Sequence, residues 1–238
     1  MPANYSDRLL CRGNFATRFS HRARFNKIVA LIGRGSFDAC LDMGCADGYV
    51  LKALHGRNKI RCGVGVDADI PELARCQKSC SSEKKLRFLP PEEMEKELRA
   101  HSFDLVLCTE TLEHVKDPEE LIKKIANYTK ANGRLIISAP IEIGPSLMVK
   151  QVFRYLANLN GRYGYESYRM AELFSACFSI IRPYDDLRYA FPGRHKGFDF
   201  RRLDRLIRRY FVVEKIIYSP LNVLKSFLNS TVIWLCKL

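Results

Sequence analysis

From residue 39 to residue 140, short apolar runs alternate with stretches in which apolar positions recur at helical spacing. That alternation is the pattern of βαβ units wound into a parallel sheet. The expected strands are 39–43, 61–67, 85–89, 103–109 and 134–139. Several are apolar at successive positions, as strands covered on both faces must be. Asp117-Pro118-Glu119-Glu120 supplies an N-cap, a proline at the first helical position and a glutamate at the capping-box position. The helix it opens runs through Leu121, Ile122 and Ile125 and is expected to stop near Asn132-Gly133. Pro71 opens another helix after the second strand. Beyond Pro140 the alternation breaks. Residues 145–190 read as helical and aromatic-rich, followed by a basic helix at 200–210, a strand at 211–218 and a last strand at 231–237. The fold class that follows is α/β: a Rossmann-like, seven-stranded, mostly parallel sheet with helices on both faces. The last strand is antiparallel, and a helical insertion follows strand five.

Composition narrows the partners. The chain has 238 residues, 47% hydrophobic and 27% charged, which suits one soluble globular domain with a substantial core. The net charge of +13 is concentrated in two blocks, 1–35 and 194–209. Basic blocks flanking a balanced middle fit an anionic partner (a phosphorylated substrate, RNA or an anionic membrane surface) and equally a solvated face that aids solubility. Nine cysteines include no CxxC pair; Cys40, Cys45, Cys62 and Cys108 sit in or beside apolar runs, where free cysteine packs as a small hydrophobe. A reduced, cytoplasmic protein is the expectation. The N-terminus lacks the apolar segment of a signal peptide, and no apolar run reaches the ~18 residues needed to span a bilayer.

The candidate chemistry starts at Leu41-Asp42-Met43-Gly44-Cys45-Ala46-Asp47-Gly48-Tyr49, between the first strand and a helix. Glycines at 44 and 48 with a small residue between them let backbone approach a bulky ligand. The helix start beyond offers free N–H groups to a carboxylate. A dinucleotide site would place glycines where Ala46 and Tyr49 stand, so nicotinamide binding is disfavoured. Asp67 ends the second strand, where one carboxylate can hold two ribose hydroxyls.

D-x-G-x-x-x-G on the first strand, G-V-D on the second, and F-D-L-V-L-C-T-E-T-L-E-H-V-K-D-P followed by G-R-L-I-I-S-A-P resemble class I S-adenosylmethionine-dependent methyltransferases. The likeness is to the type 11 group, which includes the ubiquinone-biosynthesis O-methyltransferases; it covers 39–140 well and 195–237 more loosely. The resemblance implies that Asp42, Gly44, Cys45 and Gly48 surround the methionine part of the cofactor, with Cys108 on the neighbouring strand, and that Asp67 binds ribose. It also implies that Ala68 and Met94 lie near the adenine. Where the family often has an aspartate after the third strand, Pro90-Pro91-Glu92-Glu93 stands instead. The resulting organisation is a single domain over 1–238. It has a basic N-terminal helical segment (1–38), a cofactor-binding core (39–140), a substrate-lid insertion (141–194) and a C-terminal helix with closing strands (195–238).

Glu110-x-x-Glu113-His114 follows the fourth strand, which in this fold ends beside the sulfonium. Three readings are open. Glu110, Glu113 and His114 hold a Mg²⁺-like ion, a site that the resemblance to small-RNA 2′-O-methyltransferases implies His195 completes; or His114 accepts a proton directly; or the segment is structural. The same E-x-x-E-H pattern occurs in the ubiquinone-pathway enzymes and in small-RNA 2′-O-methyltransferases. The absence of an Asn/Asp-Pro-Pro-Tyr motif favours oxygen acceptors. The leading expectation is methylation of a small-molecule or lipid-linked acceptor. Phe153, Tyr155, Leu156, Leu159, Tyr163, Tyr165 and Tyr168 would roof the cavity, or pack on the sheet as ordinary core, and 147–159 could lie on a membrane with Lys150 and Arg154 facing phosphates. RNA 2′-O-methylation and a non-catalytic methyltransferase-like partner subunit are the alternatives.

Overall fold

A computed structural model describes residues 5–7, 10–11, 15–80, 83–158, 168–178 and 198–238. The chain opens with a single helical turn, α1 (Tyr5–Asp7), and helix α2 (Phe15–Ile32). The core then alternates β1 (Phe37–Met43), α3 (Tyr49–Gly56), β2 (Ile60–Val66), α4 (Ile70–Ser79), β3 (Leu86–Leu89), α5 (Met94–Glu97), β4 (Phe103–Thr109), α6 (Pro118–Tyr128) and β5 (Thr129–Pro140). Helices α7 (Ser146–Asn158), α8 (Met170–Phe178) and α9 (Phe200–Tyr210) follow, with β6 (Val212–Ser219) and β7 (Thr231–Lys237) closing the sheet.

The seven strands lie in the order β3-β2-β1-β4-β5-β7-β6, parallel except for β7, which runs antiparallel to both β5 and β6. This is the architecture expected from the sequence. Successive residues of each central strand face opposite sides. On one face Leu41, Met43, Val106, Leu135 and Ile137 pack against α6 and α9; on the other Cys40, Leu105, Leu107 and Ile136 pack against α2, α3 and α4.

Local signals account for the helix starts. Asp117 accepts from Glu120 N at 2.9 Å ahead of Pro118, and Asp69 caps α4 by accepting from Glu72 N at 3.0 Å. The stop of α6 differs from expectation. The helix ends at Tyr128 and Asn132-Gly133 lies within β5. Thr129 ends the helix early: its hydroxyl donates to Ile125 O at 2.6 Å and its backbone turns extended. At the antiparallel end, Trp234 is fully buried and its indole Nε1 donates to Asp204 Oδ1 of α9 at 2.7 Å.

Lys150 and Arg154 of α7 turn inward, not toward a membrane. Arg154 donates to Glu142 Oε1 and Oε2 at 2.9 and 3.1 Å, and Lys150 reaches Glu142 at 3.0 Å and the carbonyls of Ile141 and Ser230. Glu142 is only 1% exposed, so its charge requires these cations, and the helix rotates to supply them. Replacing it, Glu142→Leu, strands both cations against the sheet. Chemical denaturation is expected to show a loss of about 3–5 kcal/mol.

Candidate active site

The parallel strands β1, β2 and β4 end at one cavity of about 1010 Å³. The bend after β1 forms its floor. Gly44 N and Cys45 N both donate to Val66 O, at 2.7 and 3.1 Å, which pins the bend to the end of β2. Asp67, the next residue, accepts from Ala46 N at 2.7 Å and from Asp69 N at 2.9 Å, so its carboxylate is bonded directly to the bend at the cavity wall. Ala46 has φ +46°, a left-handed conformation that Asp67 stabilises.

The two glycines serve the chain's own packing. A Cβ on Gly44, at φ +82°, would collide with the Thr111 side chain, whose hydroxyl donates to Met43 O at 3.0 Å. A Cβ on Gly48 would overlap the Phe88 ring. Gly44 is at the cavity wall, whereas Gly48 stands behind it and starts α3 with φ +68°.

Asp42, Gly44, Cys45, Asp67, Ala68, Met94, Glu110 and His114 all line the cavity. Cys108 does not. It is fully buried among the core side chains under α6, because the alternation of β4 turns it into that layer and leaves Thr109 at the wall. Glu113 is also behind the wall, and His195 lies outside the described residues. Phe153 and Leu156 lie in α7 with their side chains outside the description, as are Leu159, Tyr163 and Tyr165 altogether. Of the aromatics expected to roof the cavity, Tyr155 is exposed and Tyr168 packs on Leu147, Ala176 and Cys177.

Among the described residues, the N-terminal segment covers the cavity. His21, Arg24, Phe25 and Ile28, spaced along one face of α2, line the cavity together with Ser6 and Leu10. Arg24 donates its guanidinium to Glu110 Oε2 at 3.0 Å, and the Ser6 backbone N–H reaches Asp47 Oδ2 at 2.8 Å. The sequence marks the arginine-rich run around His21 as part of an N-terminal helix or lid, but it does not name Arg24, Phe25 or Ile28 as lining the cavity. Burial, with the Arg24 charge adding, lowers the His21 pKa to about 3.

Two carboxyls are electrostatically out of the ordinary. Asp42 is 1% exposed, its Oδ1 has no hydrogen-bond partner, and burial together with the Asp67 charge raises its pKa to about 7. Glu113 is buried with neither carboxylate oxygen hydrogen-bonded; burial, with Glu110 adding, pushes its pKa well up. His114 Nε2 stands 3.8 Å from Glu113 Oε1. Glu110 adopts φ +54° and is held by Arg24 and by the Ser138 hydroxyl at 3.4 Å. Among the described residues no group of three or more His, Cys, Asp or Glu side chains has the arrangement to hold a metal ion. The Glu110 charge is met by an arginine, so Glu110, Glu113 and His114 as placed do not fit the expected Mg²⁺ site. On the basic helix α9, Arg201 and Arg208 are tied to Asp199 and Asp204.

Comparison with known proteins agrees with this geometry. Residues 41–137 match the family model described as a methyltransferase domain. A ubiquinone biosynthesis O-methyltransferase of Coxiella burnetii (strain Dugway 5J108-111) is 32% identical over 102 residues, which is 41% of this chain and 42% of that protein. The chain thus spans about two-fifths of the length of the curated relatives it matches. A crystal structure of a protein from Pyrococcus horikoshii OT3 superposes with a TM-score of 0.62 at 15% identity over 91% of this chain and 90% of that one. A SAM-dependent methyltransferase from Aquifex aeolicus superposes with a TM-score of 0.56 at 10% identity, covering 89% and 88%.

Proposed function

We propose, from the match of residues 41–137 to the methyltransferase-domain model, that the chain is a class I S-adenosylmethionine-dependent methyltransferase of the type 11 group that methylates a hydroxyl group of a small-molecule or lipid-linked acceptor. The observation that carries the proposal is the single cavity joining the 44–47 bend, Asp67 and the 109–114 segment. Its volume of about 1010 Å³ lies at the upper end of the ~300–1,000 Å³ of small-molecule sites. There is room for a cofactor and an acceptor together.

The residues at the wall fit an adenosyl amino acid. Asp42 is a buried carboxylate without a partner for Oδ1, and a cation beside it satisfies the charge that burial leaves exposed to no solvent. Arg24 lines the same end and offers a guanidinium to a carboxylate. Asp67, Ala68 and Met94 line the same cavity, which supports a reading in which the Asp67 carboxylate accepts from ribose hydroxyls and the two apolar side chains flank a planar ring. S-Adenosylmethionine, when bound, supplies an electrophilic methyl group on a sulfonium.

The chain's own task is then alignment and proton handling. Glu110 and His114 border the cavity at the end of β4, and either can accept the acceptor's hydroxyl proton. Arg24 orients Glu110, and the buried Glu113 sits beside the His114 ring. The α2 roof, with Phe25 and Ile28, excludes water from that end. Ubiquinone-pathway relatives act at oxygen by name, which supports a hydroxyl acceptor here.

Isothermal titration with S-adenosylmethionine and with S-adenosylhomocysteine tests the reading. Asp67→Asn is expected to weaken both by about 10- to 100-fold, the value of a hydrogen bond to a charged group. Absence of binding by the natural chain would instead identify it as a non-catalytic partner subunit.

A further inference from the structure

The connection between β6 and β7 is built to display apolar side chains. Leu221, Val223, Leu224, Phe227 and Leu228 are 46% to 63% exposed. An exposed cluster of this kind on a soluble domain marks a contact surface. The backbone beneath it is held in place by one buried side chain. Asn229, 1% exposed, accepts from Leu221 N and Asn222 N through Oδ1 at 2.8 and 3.1 Å, and donates from Nδ2 to Val223 O and Lys225 O at 2.8 and 2.6 Å. Asn222, Leu224 and Lys225 have φ of +60°, +55° and +47°. Left-handed backbone in a leucine and a lysine is costly, and it persists here because those four hydrogen bonds determine the path. The hydrogen bonds maintain a fixed tip on which the leucines and the phenylalanine stay exposed.

Position and charge indicate what the tip meets. β6 runs parallel to β1, β2 and β4, so its end at Ser219 lies on the same sheet edge as the cavity. Helix α7 is tied to the root of the connection by Lys150 Nζ donating to Ser230 O at 3.0 Å, and it exposes Met148, Val152 and Tyr155. Residues 220–229 contain one lysine and no acid, on a chain of net charge +13. Apolar side chains beside a cation, on a basic protein, are complementary to a bilayer carrying anionic headgroups.

We propose that the 220–229 connection is a membrane-docking tip that inserts its leucines and phenylalanine into an anionic lipid surface, turning the cavity edge toward the bilayer. The surface is independent of the methyl-transfer reading, and its test needs neither cofactor nor acceptor. The full chain is sedimented with phosphatidylcholine–phosphatidylglycerol vesicles and with phosphatidylcholine vesicles alone. The natural protein is expected to partition onto the anionic vesicles. Leu221→Ser/Phe227→Ser is expected to lose about tenfold or more of that partitioning while its thermal midpoint stays unchanged. Lys225→Gln is expected to lower binding to anionic vesicles alone. No binding by the natural chain overturns the proposal, as does undiminished binding by the double variant, which would assign attachment to overall basicity. A natural chain that self-associates without lipid, and a double variant that does not, would overturn it in favour of a second copy on the tip.

Discussion

Asp42→Asn is expected to make the cofactor-free protein more stable at pH 8 while weakening its affinity for S-adenosylmethionine. The carboxyl is buried without a partner on Oδ1, and burial together with the Asp67 charge raises its pKa to about 7 from the ordinary 3.8. The folded state therefore holds this proton more tightly than the unfolded chain. The resulting stabilisation is complete below pH ~4 and is lost as pH rises through about 7. The full loss is roughly 4 kcal/mol, an upper figure for one buried group. Asparagine keeps the shape and removes the charge, so the gain in thermal midpoint should be several degrees at pH 8, smaller at pH 5 and close to zero near pH 4. Calorimetric melting across that range, paired with cofactor titration, measures both effects. A variant less stable than the natural chain at pH 8 would show that Asp42 is not an uncompensated charge.

Gly44→Ala is expected to damage fold and site together. The φ of +82° costs an L-residue ~1–2 kcal/mol, and the methyl group has to displace the Thr111 side chain, an overpacking cost of ~1–3 kcal/mol. Chemical denaturation should register a loss of about 2–5 kcal/mol, and cofactor affinity should fall because the bend carries Cys45 and Ala46 with it. Combining it with Thr111→Gly removes the collision and leaves the backbone cost. The two changes should therefore couple favourably in a double-mutant cycle. Strict additivity would mean that Thr111 is not what requires glycine there.

The parallel core was legible because its determinants are local. Apolar runs of strand length, the Asp117-Pro118 cap and the Asp69-Ile70-Pro71 start each sit within a few residues of the element they specify. The bend and Asp67 were legible for a related reason: each ends a strand, and parallel register brings strand ends to one edge. Contacts between distant segments left no such trace. Arg24 meets Glu110 and Ser6 meets Asp47 across a cavity that exists only once the sheet has formed, so no local pattern names either pair. Lys150 and Arg154 show the limit of amphipathic reading. Periodicity gives a helix two faces, but the buried Glu142 decides which faces inward. Glycines 44 and 48 were read as making way for a ligand, and the neighbours that claim the space are Thr111 and Phe88.

The one tryptophan of the chain also determines how the molecule can be watched. Trp234 is sealed between the sheet and α9, bonded to Asp204, and absent from the cavity wall. Its fluorescence therefore reports the integrity of the antiparallel end of the sheet rather than occupancy of the site. Denaturation followed by tryptophan emission and ligand binding followed by heat are separate observables in this protein, and a mutation that moves one without the other can be assigned to fold or to site directly.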